Sequence, residues 1–204
     1  MKWKGHAWWA VMPVLVAGSM VTAGGDAAAG VRAAATHRLA PDAASDFSIT
    51  IDLSDRALYV MRDGEKIHEY SVAVGQPDYP TPTGHFSVGR IVWNPHWVPP
   101  DSDWARDREP AGPGDADNPM GRVKIFFDSP AYYIHGTRDT DSLGEAESHG
   151  CVRMRNSEAI ALARMVMAHG GEARSPNWFR RVLNRVSSTR EVRLSQPVPV
   201  RIRP

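Results

Sequence analysis

Residues 135–156 read HGTRDTDSLGEAESHGCVRMRN and contain Cys151, the only cysteine of the 204-residue chain. A thiolate attacks carbonyl groups well, but a thiol with an ordinary pKa of about 8.5 is mostly protonated at neutral pH. A nucleophilic cysteine therefore needs a base nearby, and His135 and His149 lie in the same segment. Gly150, directly before the cysteine, would let the backbone approach a bound carbonyl closely. This combination predicts a cysteine nucleophile activated by a histidine.

Two other interpretations of these residues stay open from the sequence. A lone cysteine is often a small, buried hydrophobic side chain. Cys151, His135 and His149 could instead bind zinc through sulfur and nitrogen, but no second cysteine or acidic ligand stands at a familiar metal spacing. We therefore expect no metal site.

The start of the chain has the features of a secretory signal peptide over residues 1–29. Lys2 and Lys4 precede an apolar run at 7–21 that is too short to span a membrane comfortably. Small residues follow, with an Ala-x-Ala cleavage site at 27–29. No cysteine follows the run, which argues against a lipoprotein anchor, and an uncleaved signal segment stays open as the protein's membrane contact. We expect an exported protein.

Export gives the single cysteine and the charge balance a further meaning. Compartments outside the cytoplasm are oxidising and favour paired cysteines, so an unpaired thiol there indicates a functional group. Removing residues 1–29 takes Lys2, Lys4 and Asp26 from totals of 24 basic and 23 acidic residues, which leaves 22 of each. A formally neutral chain gives no reason to expect a nucleic-acid partner.

The charge is unevenly distributed along the chain. Six acidic residues lie between Asp101 and Asp117, whereas eight arginines follow Gly171 with only two glutamates. Both could be solvated surfaces, and a basic face that touches an anionic wall polymer is the alternative. The segment 101–118 is also rich in proline and glycine, and its length is typical of a lid or a mobile insert. We expect it to cover part of a cleft.

Alternation of apolar and polar residues begins at Phe47, after an alanine-rich spacer at 30–46. Asp63-Gly64 marks a hairpin, and two helices are predicted, one capped by Asn156 and one beginning at Ser175-Pro176. Strands are predicted at 47–53, 57–62, 66–74, 86–92, 123–128, 131–134, 191–194 and 198–202. The pattern therefore predicts one mainly β domain over 47–204, with helices in its C-terminal half.

Three blocks of sequence, in the same order, resemble those of one enzyme family. His-Gly-Thr at 135–137 leads to Ser-His-Gly-Cys-Val-Arg-Met at 148–154, Pro-Thr-Pro-Thr-Gly stands at 80–84, and Asn-Pro-Met-Gly stands at 118–121. Together they resemble the L,D-transpeptidases, bacterial enzymes that crosslink peptidoglycan, over about 47–156. The resemblance implies a mixed β-sandwich or β-barrel-like scaffold that carries the cysteine on a loop at one edge.

The resemblance also implies roles for the residues of the first block. Cys151 would be the nucleophile and His135 the general base, with the Gly136 carbonyl orienting the imidazole. His149 would line the site, although a structural histidine is the alternative. The backbone amides of Gly150 and Cys151 would form an oxyanion hole.

Three further residues are expected to contact substrate. Arg153 would bind a carboxylate of the peptide stem through a bidentate contact, or it would form a framework salt bridge. Ser148 is assigned to the same substrate-binding group. Trp97 lies in Trp-Asn-Pro-His-Trp-Val-Pro-Pro at 93–100, which resembles a family segment and would form either an aromatic wall for the stem or a loop packed on the core.

The implied reaction is a two-step acyl transfer without a cofactor. The cysteine attacks the carbonyl after the third residue of a tetrapeptide stem and expels D-Ala, and an amine then takes the acyl group. The implied partners are peptidoglycan stem peptides in the periplasm or cell wall, and the acceptor is open between a second stem and an outer-membrane lipoprotein. Alternatives are an L,D-carboxypeptidase or D-amino-acid exchange enzyme, and a non-catalytic wall-binding module.

Overall fold

The computed structural model describes residues 46–204. The predicted signal peptide at 1–29 and the spacer at 30–46, except for Asp46, lie outside the described residues. The described chain forms eight strands, which we number in chain order: β1 Phe47–Asp52, β2 Ala57–Arg62, β3 Glu65–Ala73, β4 Gly84–Trp93, β5 Val123–Asp128, β6 Tyr132–Thr137, β7 Val152–Arg155 and β8 Arg190–Arg203. A short 3₁₀ helix spans Asp103–Ala105.

The strands close into a barrel in the order β1-β2-β3-β7-β6-β5-β4-β8. The pairs β1–β8 and β6–β7 are parallel, and the other neighbours are antiparallel. The alternating apolar side chains meet in one core that includes Phe47, Leu58, Ile91 and Trp93, all fully buried. The predicted mainly β, barrel-like fold is confirmed.

Two helices complete the domain, α1 at Asn156–His169 and α2 at Pro176–Asn184. The buried side of α1 joins the barrel core through five apolar residues, Ala159, Leu162, Ala163, Val166 and Met167. The predicted start of α2 is confirmed, because the Ser175 side chain accepts a hydrogen bond from the Trp178 amide and Pro176 occupies the first turn.

Two local predictions were wrong. Asn156 does not cap α1 but is its first residue, because its side-chain oxygen accepts the Arg122 amide at 2.9 Å instead. The two closing strands are one continuous strand, β8, because β4 pairs with both of its halves across an irregularity between Val88 and Arg90. In both cases a partner distant in sequence overrides the local pattern.

On the outer face of strands β4 to β7, the side chains of paired residues form two rows that run across the strands. Inward residues of these strands are fully buried in the core: Ile91, Ile125, Ile134 and Val152. Outward residues alternate with them. One row joins Arg90, Phe126 and Tyr133 across β4, β5 and β6, and the next joins Lys124, His135 and Arg153 across β5, β6 and β7.

Candidate active site

A cleft of about 830 Å³ lies over these two rows, and Cys151 opens into it. Cys151 directly precedes β7, and Val152 pairs with Ile134, so Cys151 stands level with Tyr133. His135 lies two residues after Tyr133 in β6, so its side chain is on the same face of the strand. The structure therefore brings Cys151, His135, His149, Arg153 and Trp97 together around one cleft, although they come from different strands and loops.

The thiol of Cys151 is half-buried and unpaired. Burial raises its pKa above the ordinary value, while hydrogen bonds from the backbone and side chain of Tyr133 and the charges of Lys124 and Arg153 act in the opposite direction. The sulfur also lies 3.8 Å from the Ala131 carbonyl oxygen, as a weak donor. Because burial is the largest of these effects, the resting residue is a neutral thiol at pH 7.

The ring of His135 is almost fully buried, with 3% of its surface exposed. Burial lowers its pKa to about 3, opposed by the carbonyls of Gly136 and Pro119 and reinforced by Arg153 and Lys124. Nδ1 lies 2.9 Å from the Gly136 carbonyl oxygen. A carbonyl can only accept, so the neutral ring carries its hydrogen on Nδ1 and keeps a lone pair on Nε2. This is the form of an imidazole that can take a proton.

The close packing of two glycines positions the His135 backbone. A Cβ atom on Gly136 would lie 2.4 Å from Asn156 Oδ1, and one on Gly121, whose φ is +60°, would lie 2.8 Å from the Gly136 carbonyl carbon. Neither contact is possible for a side chain, so both positions require glycine. Gly121 of the Asn-Pro-Met-Gly block thus packs directly against Gly136 of the His-Gly-Thr block.

The loop before Cys151 is held by Ser148, which is 1% exposed. Its hydroxyl donates to the Cys151 carbonyl and accepts the Gly150 amide at 3.2 Å. Gly150 has a φ of +97°, and a Cβ there would lie 2.8 Å from the Tyr132 ring. The Ser148 hydroxyl braces the loop, and Ser148 also lines the cleft, so its contact with substrate stays a prediction. The Gly150 amide expected in the oxyanion hole already has this hydroxyl as its partner.

His149 lies between two aromatic rings. Trp104 stacks on it with ring centres 4.0 Å apart, and Tyr79 approaches from another direction at 5.0 Å. Burial and nearby arginines lower the pKa of His149. Trp104 belongs to the acidic segment 101–118, which also lines the cleft through Ser102, Arg108 and Asp117. This segment therefore forms part of the cleft wall, and His149 anchors it.

Arg153 and Trp97 border the same cleft in different ways. The Arg153 guanidinium lies 3.6 Å from the exposed carboxylate of Asp139, so part of its charge is compensated. Trp97 is 7% exposed and packs in a small cluster with Ala111 and Met120. The Trp97 ring therefore packs within its loop and also lines the cleft, which are the two positions that the sequence left open.

Sequence reasoning missed Tyr133, Lys124 and Trp104, all of which line the cleft. The alternation within β5 and β6 places Lys124 and Tyr133 on the outer face, as it does His135, and this was the available signal. Trp104 gave no signal, because its segment has no period. Its position depends on contacts with His149.

The family model of the L,D-transpeptidase catalytic domain matches residues 46–199. The chain belongs to the L,D-transpeptidase family. A relative from Fuscovulum blasticum named as an L,D-transpeptidase is 37% identical over 116 residues, which are 55% of this chain and 60% of that protein. The YqjB protein of Bacillus subtilis (strain 168), also named as an L,D-transpeptidase, is 35% identical over 119 residues, which are 56% of this chain and 62% of that protein.

The solved catalytic domain of the Enterococcus faecium L,D-transpeptidase shares the fold. The match has a TM-score of 0.51 at 19% identity and covers 78% of this chain and 98% of that domain. The chain spans about 60% of the length of the first two curated relatives. No helix within residues 46–204 of this chain is long and apolar enough to cross a membrane.

Proposed function

We propose that this L,D-transpeptidase acts on peptidoglycan stem peptides, with Cys151 as nucleophile and His135 as general base. The proposal rests on one observation: a half-buried thiol and a buried, neutral imidazole border the same cleft. The Gly136 carbonyl holds the imidazole in the tautomer that can accept a proton. His149, which packs against the rings of Trp104 and Tyr79, lines the site and does not serve as the base.

In the first step the Cys151 sulfur attacks the carbonyl carbon after the third residue of a tetrapeptide stem. The thiol proton passes to His135 Nε2 as the carbon–sulfur bond forms, because burial disfavours a separate thiolate and imidazolium in the resting site. The carbonyl oxygen becomes an oxyanion, which the backbone amide of Cys151 stabilises, because the Gly150 amide donates to the Ser148 hydroxyl. Cleavage of the carbon–nitrogen bond returns the proton to the leaving amine, and D-Ala departs.

In the second step an amine attacks the thioester that remains on Cys151. His135 takes a proton from the amine, the new amide bond forms, and the proton returns to the sulfur. No nucleotide is needed, because the energy of one amide bond is conserved in the next. We propose a second stem or an outer-membrane lipoprotein as the source of the amine, and the periplasm or cell wall as the location of the exported enzyme.

Intact mass analysis tests the nucleophile. The resemblance to L,D-transpeptidases implies sensitivity to carbapenems, which are β-lactams that acylate a nucleophile. We expect one carbapenem adduct on the wild-type protein and none on Cys151→Ala within the same incubation time. His135→Gln, which keeps the thiol but lacks the proposed base, should also form none in that time. With a disaccharide tetrapeptide, the wild type should release D-Ala and the Cys151→Ala variant should not. An adduct on Cys151→Ala, or D-Ala release by it, would refute the assignment. Thermal unfolding of each variant establishes that the fold is retained.

The products of the same incubation separate the alternatives. A crosslinked dimer supports transpeptidation, whereas a free tripeptide supports an L,D-carboxypeptidase and incorporation of an added D-amino acid supports exchange. A non-catalytic wall-binding module predicts sacculus binding by wild type and Cys151→Ala alike, with no product from either. The thiol and the neutral imidazole that line one cleft favour the catalytic interpretation.

A further inference from the structure

Lys124 is a half-buried lysine on the cleft wall with no carboxylate partner. The ion pairs within residues 46–204 leave it out. Its ammonium group lies 4.6 Å from the centre of the Tyr133 ring, and the residue stands level with His135. Burial of a charged group is unfavourable, and here it lowers the pKa of Lys124 to about 8, although the nearby Cys151 acts in the opposite direction. A cation kept in such a position indicates an anionic ligand.

Arg90 makes the position of Lys124 more unfavourable still. Its charge lowers the Lys124 pKa further, and its guanidinium lies 3.8 Å from the centre of the Phe126 ring. Glu191 compensates Arg90 only partly, because it lies 3.6 Å from Arg90 and 2.9 Å from Arg193. Within the described chain the buried Arg90 Nε has no hydrogen-bond partner. Positive charge therefore exceeds negative charge on this side of the cleft.

The charges around the whole cleft have the same sign. Four cationic side chains line it, against the single carboxylate of Asp117: Arg90, Arg108, Lys124 and Arg153. A cleft with this excess favours a substrate that carries carboxylates.

We propose that Lys124 binds the free C-terminal carboxylate of the residue that the enzyme releases. The Lys124 ammonium lies over the ring of Tyr133, and the side chain of Tyr133 forms a hydrogen bond with Cys151. The ammonium and the sulfur are therefore separated by about the width of the Tyr133 ring. The terminal carboxylate is similarly close to the scissile carbonyl, because it belongs to the next residue, about 3.8 Å along the chain.

Arg153 suits a different carboxylate of the stem. It lies two strand spacings from Lys124, about 10 Å at the backbone, with His135 between them. Two cations on opposite sides of the base match a substrate with carboxylates on opposite sides of the scissile bond. The inference rests on the proposed function for the identity of the peptide, and its test is a binding measurement that requires no turnover.

The experiment measures the affinity of a disaccharide tetrapeptide and of its C-terminal amide for the full chain carrying Cys151→Ala. A charge-assisted hydrogen bond is expected to favour the carboxylate by about 10- to 100-fold. Adding Lys124→Met should reduce this preference to below about 2-fold and leave the affinity for the amide nearly unchanged. Lys124→Arg should retain most of the preference. Lys66→Met, which removes an exposed lysine paired with Glu69, is the matched control and should retain all of it.

Several results would overturn the inference. The first is that the Cys151→Ala protein binds the two peptides with equal affinity, and the second is that it binds neither. The third is that the preference for the carboxylate survives Lys124→Met in a folded protein. If Lys124 acted only on the thiol, Lys124→Met would leave the preference for the carboxylate intact in the Cys151→Ala protein and would change only the reactivity of Cys151 in the wild type. A preference that depends on Lys124, combined with no D-Ala release by the wild type, would support the carboxylate site and reject the proposed reaction.

Discussion

The protonation state of Cys151 and His135 in the resting enzyme follows from their burial. A thiol with an ordinary pKa of about 8.5 is about 3% ionised at pH 7. Burial raises the pKa of Cys151, so its ionised fraction is smaller. Burial also lowers the pKa of His135 to about 3, so its ring is neutral throughout the range in which proteins are usually assayed. The pair therefore rests as thiol and imidazole, not as thiolate and imidazolium.

Alkylation with iodoacetamide between pH 5 and pH 10, followed by intact mass, measures this state. Only the thiolate reacts appreciably, so the rate constant should rise about tenfold per pH unit until the pH passes the raised pKa of Cys151. No inflection should occur near pH 6.5. Below pH 8, where Lys124 carries its charge, Lys124→Met should lower the rate constant, because that charge favours the thiolate.

His135→Gln is the informative control for this measurement. Since both side chains are neutral, the variant should alkylate with nearly the wild-type pH dependence, although it loses transfer activity. A short peptide with blocked termini and one exposed cysteine gives the reference curve, which should lie at lower pH than that of the protein. A rate constant that reaches its plateau by pH 6 in the wild type, and loses that plateau in His135→Gln, would show an ion pair and refute the reasoning.

Two further predictions concern stability. Asn94 is buried and its amide donates to the carbonyls of Val182 and Arg185 at 2.8 and 3.0 Å, so Asn94→Ala should lower the free energy of unfolding in urea by about 3 kcal/mol. Asn94→Gly tolerates the φ of +48° but should lose nearly as much; a near-neutral effect would contradict the hydrogen-bond account. The unfolded chain protonates His135 near pH 6.5 and the folded chain only near 3, so wild-type stability should fall with pH below 6.5, by up to about 1.4 kcal/mol per unit. His135→Gln should remove that part of the loss, and equal urea midpoint shifts in both proteins between pH 7 and pH 4 would reject it.

The site was partly predictable because its chemistry is concentrated in one segment. Cys151, His135 and Gly136 stand in a short stretch whose residue types already limit the reaction, and alternation in β5 and β6 follows from side chains that point to opposite faces of a strand. Asn156 shows the opposite case. Its type and position are those of a helix cap, but its side-chain oxygen accepts a hydrogen bond from the Arg122 amide in the folded chain.

The sequence by itself determined the mainly β class, the family resemblance and the presence of one thiol and two histidines in a single segment. These depend on residue type, spacing and period, which are local properties. Only the tertiary structure decided that Lys124 stands beside His135, that Trp104 stacks on His149, and that Ser148 braces the cysteine loop. These relations depend on strand register and loop packing, and both are set by contacts between segments far apart in the chain.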